Sequence, residues 1–180
     1  ELGPKISISI YRKYINKLCR ILKSLGININ TVPVLDVLRK NTNKIIGNRS
    51  FSTKPIIVKK LGQVCIEQYK KNRIGTVIKH IPGHGCSNSD SHITLPKVNL
   101  SLTSLNKIDF VPFKSSSSKF AMTAHVLYKK IDKVNVATFS RKIIKEIIRK
   151  KMGFKGVLIS DDISMKALKF DLVTNARKSL

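Results

Sequence analysis

The sequence predicts an α/β fold built on a parallel sheet, and three observations carry that reading. Short β-branched runs alternate with stretches of helical periodicity, the pattern of parallel strands joined by crossover helices. The first of these runs is short, β-branched and mainly apolar apart from Asn28, Asn30 and Thr31, and is read as a strand buried on both faces. Each run also closes on a polar group: Asp36 ends the first, Lys79 and His80 the second, His125 the third and Asp161 the fourth. Functional groups gathered at successive carboxyl ends of strands form the rim on which a (β/α)8 barrel builds its active site. Such a barrel needs about 250 residues. With 180 residues and four strands, the chain is either part of a barrel or an open sheet.

The elements follow in order. Ile10, Tyr14, Leu18, Ile21, Leu22 and Leu25 recur at helical spacing and predict a helix over 9–25, stopped by Gly26. Ile27 to Leu35 reads as the first strand. A helix over 56–71 precedes the second strand, Ile74 to Ile78. After a long loop and a helix near 101–109 come the strand Phe120 to Val126 and a helix running from Ser140, a good N-cap, to Met152, with Gly153 behind it. Gly156 to Ser160 is the last strand, a helix is expected to begin near Asp162, and Ala176 to Leu180 reads as helical. The run Ser115 to Ser118 is a loop.

Composition limits the partners. With 42% hydrophobic and 25% charged residues the chain suits one globular domain. A net charge of +25 would favour nucleic acid if it were clustered. It is not: 17 Lys and Arg fall in residues 1–90 and 18 in residues 91–180. No nucleic-acid partner is therefore expected, and a basic nucleic-acid-binding or inactive interaction protein stands as the rival reading. Cys19, Cys65 and Cys86 form neither a disulfide framework nor a CxxC pair, which suits a reducing compartment. No apolar run approaches the roughly 18 residues that cross a bilayer, so no membrane contact is expected.

The chemistry concentrates in one loop. Lys79-His80-Ile81-Pro82-Gly83-His84-Gly85, followed by Asp90-Ser91-His92, holds three of the four histidines. A zinc site is not expected there, because Pro82 and Gly83 prevent the helix that would align His80 with His84, and no Cys or Glu completes a tetrahedron. Asp161 stands where an apolar strand gives way, and can serve as a nucleophile or as a helix cap.

Five segments occur in a telling order: Pro33-Val34-Leu35-Asp36, Gly47-Asn48-Arg49-Ser50-Phe51, the loop just described, Met122-Thr123-Ala124-His125-Val126, and Gly153-Phe154-Lys155-Gly156-Val157 running into Ser160-Asp161-Asp162. Together they resemble glycoside hydrolase family 3, and within it the bacterial β-N-acetylhexosaminidases of peptidoglycan recycling. The family's Asp-Gln-Glu-Gly-Gly-Arg segment on an earlier strand, and two strands after the Ser-Asp-Asp motif, have no counterpart here. The resemblance thus implies a partial (β/α)8 TIM barrel, residues 1–180 forming one domain from the central strands and helices, with both ends of the barrel missing.

The resemblance also implies a retaining exo-β-N-acetylglucosaminidase. Such an enzyme needs one carboxylate to attack the anomeric carbon and a second group to protonate the leaving oxygen. Asp161 takes the first role. For the second, the resemblance implies a dyad of Asp90 and His92, which an extended segment would place on the same side so that the carboxylate accepts the ring proton. Arg49, Lys79 and His80 are implied to grip sugar hydroxyls, and His84 to shape the turn. Asp36 and His125 are expected to support the barrel or approach the substrate. The implied partner is a carbohydrate, an N-acetylglucosaminyl anhydro-muropeptide, in a monomeric cytoplasmic enzyme needing no cofactor. Phosphorolysis on the same fold is the sister reading, since a histidine acid/base repels phosphate less than a carboxylate does.

Overall fold

Helical periodicity at the start of the chain gives α1, Pro4–Ser24, closed by Gly26 in the left-handed region at φ +75°. The computed structural model describes residues 4–40, 42–44 and 46–179, and for residues 4–7 the backbone alone. The buried face of α1 overlaps the predicted stripe only in part. Ile15 and Cys19 are buried with Cys65, Tyr69 and Ile74, and Leu18 and Leu22 pack against them, while Ile10, Tyr14, Ile21 and Leu25 are exposed. The helix carries apolar residues on two sides, and only one side packs on α2, Pro55–Lys71. Side chains fix that contact: Asn16 Oδ1 accepts from Gln68 Nε2 at 2.6 Å and from Asn72 Nδ2 at 2.8 Å.

Between the two helices the predicted first strand shrinks to β1, Ile29–Asn30. Val32 N donates back to Asn30 O, and Pro33 has no N–H to give to a ladder. Pairing resumes only as a single bridge of Val34 to Lys79. The second strand, β2, is longer than expected, Gly75–Ile81. Next come β3, Lys97–Val98, and α3, Leu102–Lys107, whose N-cap Ser101 accepts from Ser104 N at 3.2 Å. The predicted strand 120–126 divides into β4, Phe120–Thr123, and β5, Leu127–Tyr128. A helix follows from Arg141, with Ser140 Oγ accepting from Ile143 N at 3.1 Å; over Ile143–Lys151 it widens to a π-helix. The chain ends in β6, Val157–Ser160, and α4, Leu172–Ser179.

All the strand pairings are parallel. The main sheet has the order β1-β2-β4-β6, as successive strands of a (β/α) barrel do, and a small second sheet pairs β3 with β5. Apolar side chains of β2 and β4, among them Ile78, Ile81 and Ala121, pack with Phe110, Phe113 and Phe154 into the main core. At the edge, β6 leaves Val157 and Ile159 exposed. The four main strands bring their carboxyl ends, and the loops behind them, to one rim.

Candidate active site

At that rim the β2–β4 register shifts between Lys79 and Ile81. His80 is the extra residue of the bulge, and a bulge re-aims a side chain at the point where a ladder would otherwise fix it. Its ring lies between two carboxylates. Nδ1 is 2.7 Å from Asp36 Oδ2, and Nε2 is 3.8 Å from Asp161 Oδ2. Asp36, fully buried between Leu35 and Val37, also accepts the His84 backbone N–H at 2.6 Å and the His80 N–H at 3.3 Å. Burial would raise its carboxyl, but the His80 charge and the hydrogen bonds from His80 and His84 outweigh burial and hold it below its ordinary value. Asp36 therefore stays ionised, and as an acceptor it makes His80 Nδ1 the donor.

The PGHG turn is held against this strand end. Gly85 approaches so closely that a Cβ there would lie 2.0 Å from the Val37 carbonyl oxygen. Tyr128 on β5 donates to Gly83 O, and Arg39 pairs with the buried Asp109 behind the turn. His84 is buried, its pKa is lowered chiefly by that burial, and its Nδ1 finds no hydrogen-bond partner among the described residues. On the sheet side, Lys79 Nζ reaches Thr31 Oγ1 at 3.3 Å. Burial first and the Arg49 cation second lower its pKa, against the opposing pull of Asp161 and Asp36.

Asp161 follows β6 directly, but the helix expected near Asp162 is absent. Residues 163–167 make turns, and α4 begins only at Leu172. The amide that Asp161 does receive is local: Asp162 N donates to its Oδ1 at 2.9 Å. Asp162 is itself occupied by Ser164, whose N–H and hydroxyl both donate to Oδ1. The Asp90-Ser91-His92 segment departs from expectation too, being a turn rather than extended. Asp90 Oδ1 accepts the backbone N–H of His92 at 2.8 Å, and Asp90 O accepts from Ile93 and Thr94. A short polar side chain bonding its own backbone two residues on prefers such a turn to an extended strand. Asp90 thus shapes the segment through its backbone, and His92 is exposed.

These loops nevertheless meet. Ala167 N donates to Ser91 O at 3.1 Å, tying the turn after Asp161 to the turn bearing His92. One cavity of about 250 Å³ results, and Arg49, Lys79, His80, His92 and Asp161 all border it. Of the six residues given catalytic or sugar-gripping roles from sequence, only Asp90 is not on its wall. A larger hollow of about 780 Å³ lies elsewhere, beside Ser115–Ser118, Lys119 and Arg149, and offers neither a carboxylate nor an imidazole. Among the described residues no group of three or more His, Cys, Asp or Glu is placed to hold a metal ion, and no helix is long and apolar enough to cross a membrane.

Sequence reasoning missed the Asp36–His80 pairing. Its signal was available: a lone aspartate inside an apolar run must be buried, and a buried carboxylate needs donors. The Arg39–Asp109 pair spans 70 positions and left no local signal.

Residues 10–180 match the family described as "Glycosyl hydrolase family 3 N terminal domain". A protein named β-hexosaminidase from Neisseria meningitidis serogroup C (strain 053442) is 38% identical over 148 residues, 81% of this chain and 40% of the relative. Another of that name from Nitrosomonas eutropha is 32% identical over 170 residues, 93% of this chain and 48% of the relative. Among solved structures, native NagZ from Neisseria gonorrhoeae superposes with a TM-score of 0.87 at 33% identity, covering 98% of this chain and 51% of that one. The chain spans less than half the length of these two relatives.

Proposed function

Since the chain belongs to the glycosyl hydrolase family 3 N-terminal domain family, we propose that it is part of a retaining exo-β-N-acetylglucosaminidase. The supporting observation is the single cavity that Asp161 and His92 share with Arg49, Lys79 and His80. In this reading an Asp161 carboxylate oxygen attacks the anomeric carbon. The glycosidic C–O bond breaks, its electron pair goes to the leaving oxygen, and the His92 imidazolium protonates that oxygen. Neutral His92 then takes a proton from water, whose oxygen displaces Asp161 and restores the sugar's configuration.

His80, aimed by Asp36, joins Arg49 and Lys79 in gripping sugar hydroxyls. Asp90 would turn its carboxylate to the His92 ring when the loop closes on substrate, since catalytic hydrogen bonds tighten in the occupied state. The relatives' name supports a hexosaminide substrate, and the family resemblance narrows it to an N-acetylglucosaminyl anhydro-muropeptide, in bacterial cell-wall recycling by a monomeric enzyme. Free Cys19, Cys65 and Cys86 suit a cytoplasmic location. Residues 1–180 are read as one domain, the central part of its barrel.

The test uses the whole protein with an aryl β-N-acetylglucosaminide, with and without phosphate. Free N-acetylglucosamine in both conditions is expected, and sugar 1-phosphate would instead establish phosphorolysis. Asp161→Ala should abolish turnover and His92→Ala should lower kcat by about 10²–10⁴-fold. Normal turnover in either folded variant would overturn the assignment.

A further inference from the structure

His125 lies wholly inside the protein, yet it is bonded at both ring nitrogens. Nε2 is 3.0 Å from the carbonyl oxygen of Asp162 and Nδ1 is 2.7 Å from Thr138 Oγ1. A carbonyl can only accept, so Nε2 carries a hydrogen. Thr138 is held in turn by Thr123 on β4, whose hydroxyl donates to it at 3.0 Å. The ring therefore connects the barrel interior to the first residue after Asp161.

The Asp161–Asp162 segment has no helix to direct it; Met165 N of the turn behind it donates to the Asp162 carbonyl at 3.2 Å, and His125 adds a bond to that oxygen from the barrel interior. The Asp162 amide is the group that holds Asp161 Oδ1, and the same residue's carbonyl is the group that His125 holds. We propose that His125 is a positioning residue that fixes Asp162, and through it the direction of the Asp161 carboxylate. This rests on the reading of Asp161 as nucleophile. His125 borders no part of the cavity and touches no substrate in this scheme. Burial lowers its pKa, which suits a neutral ring with Nε2 protonated and Nδ1 accepting from Thr138, whose hydroxyl lies nearer to that nitrogen, at 2.7 Å, than to the Ala124 carbonyl, at 3.2 Å.

Two amide substitutions separate positioning from mere space-filling. Gln places a donor near the Nε2 position and can still reach Asp162 O; Asn places it near Nδ1 and cannot. In the whole protein acting on an aryl β-N-acetylglucosaminide, His125→Gln is expected to keep kcat within about fivefold of wild type. His125→Asn is expected to lose about 10²-fold, the order of loss from a 1 Å misplacement, with KM within about twofold for both. Equal losses in the two variants, or full kcat in His125→Asn, would overturn the proposal. If His125→Asn does not fold, Thr138→Val replaces it. About a tenfold fall in kcat is then expected, and an unchanged kcat counts against the idea.

A readout independent of turnover covers an inert wild type, which would sink the hexosaminidase reading alone. Nitrogen-15 spectra of the His125 ring at neutral pH should show Nε2 protonated and Nδ1 bare, and the Asp162 amide should exchange faster in the Thr138 or Asn variant. The opposite tautomer, or unchanged exchange, would overturn the positioning role.

Discussion

Replacing Asp36 by Asn changes one oxygen for an amide nitrogen at constant shape, in a site that is fully buried. Three donors converge on the native carboxylate: His80 Nδ1, His80 N and His84 N. The amide retains one acceptor oxygen, and its two hydrogens meet either backbone N–H groups or a His80 ring that must move its hydrogen to Nε2 in order to accept, so the charged acceptor shared by three donors is lost. A hydrogen bond to a charged group contributes about 1.5–3 kcal/mol, and breaking one side of a buried pair costs about 3–5 kcal/mol. Taking about 3 kcal/mol, and about 2–4 °C per kcal/mol for a domain of this size, the thermal midpoint should fall by roughly 6–12 °C. Circular dichroism at pH 7 measures it. The native carboxyl is held below its unfolded value, so its contribution is complete above pH about 4 and is lost as pH falls through the lowered value. The gap between wild type and variant should consequently close in acid. A midpoint within about 2 °C of wild type at pH 7, or a gap that widens in acid, would refute the reasoning.

Other outcomes are open to measurement. Gly85→Ala must push the Val37 backbone, since its Cβ would lie 2.0 Å from Val37 O and 2.8 Å from Val37 C, and a loss of about 1–3 kcal/mol should appear as a lower denaturant midpoint. Arg39→Met leaves the buried Asp109 carboxylate alone and should cost about 3–5 kcal/mol by the same assay, with partial recovery on adding Asp109→Leu. His84 and His125 both have pKa values lowered by burial and are held neutral in the fold. Their contribution is present above the unfolded value of about 6.5 and is lost as pH falls below it, so the midpoint of thermal unfolding should begin to decline near pH 6.5 rather than near pH 4.

How much of this was legible depended on how local the cause was. The helix ends at Gly26, Ser101 and Ser140 could be read directly because a cap is made by neighbours in sequence. The parallel order of the sheet followed from alternation and from polar strand ends. What failed was decided at longer range or by competition. The packed face of α1 is set by α2: the predicted stripe shares Leu18 and Leu22 with it, but the contact centres on Ile15 and Cys19, to one side of Ile10, Tyr14 and Ile21. Asp90 prefers its own backbone to the His92 ring, and Asp162 prefers Ser164, so an extended segment and a helix start both gave way to turns. Lys79, His80 and Asp161 could be placed on one rim from their strand ends, but that Arg49 and His92 join them was legible only through the family resemblance, because no spacing rule links positions 49 and 161.

Every one of the seven aspartates accepts a hydrogen bond from within the protein: Asp36, Asp90, Asp109, Asp132, Asp161, Asp162 and Asp171. Against 35 Lys and Arg the chain sets only 10 acidic residues, among them Glu67 and Glu146 paired with Arg12 and Lys150 at the surface, which leaves a net charge of +25 to be balanced from outside. That balance falls to dissolved anions. Cation–cation repulsion across the surface reaches about 30 Å at 0.01 M ionic strength and about 10 Å at 0.1 M. Added salt is accordingly expected to raise stability in this protein, and the ionic strength of a buffer sets how tightly the molecule holds together as much as any surface ion pair does.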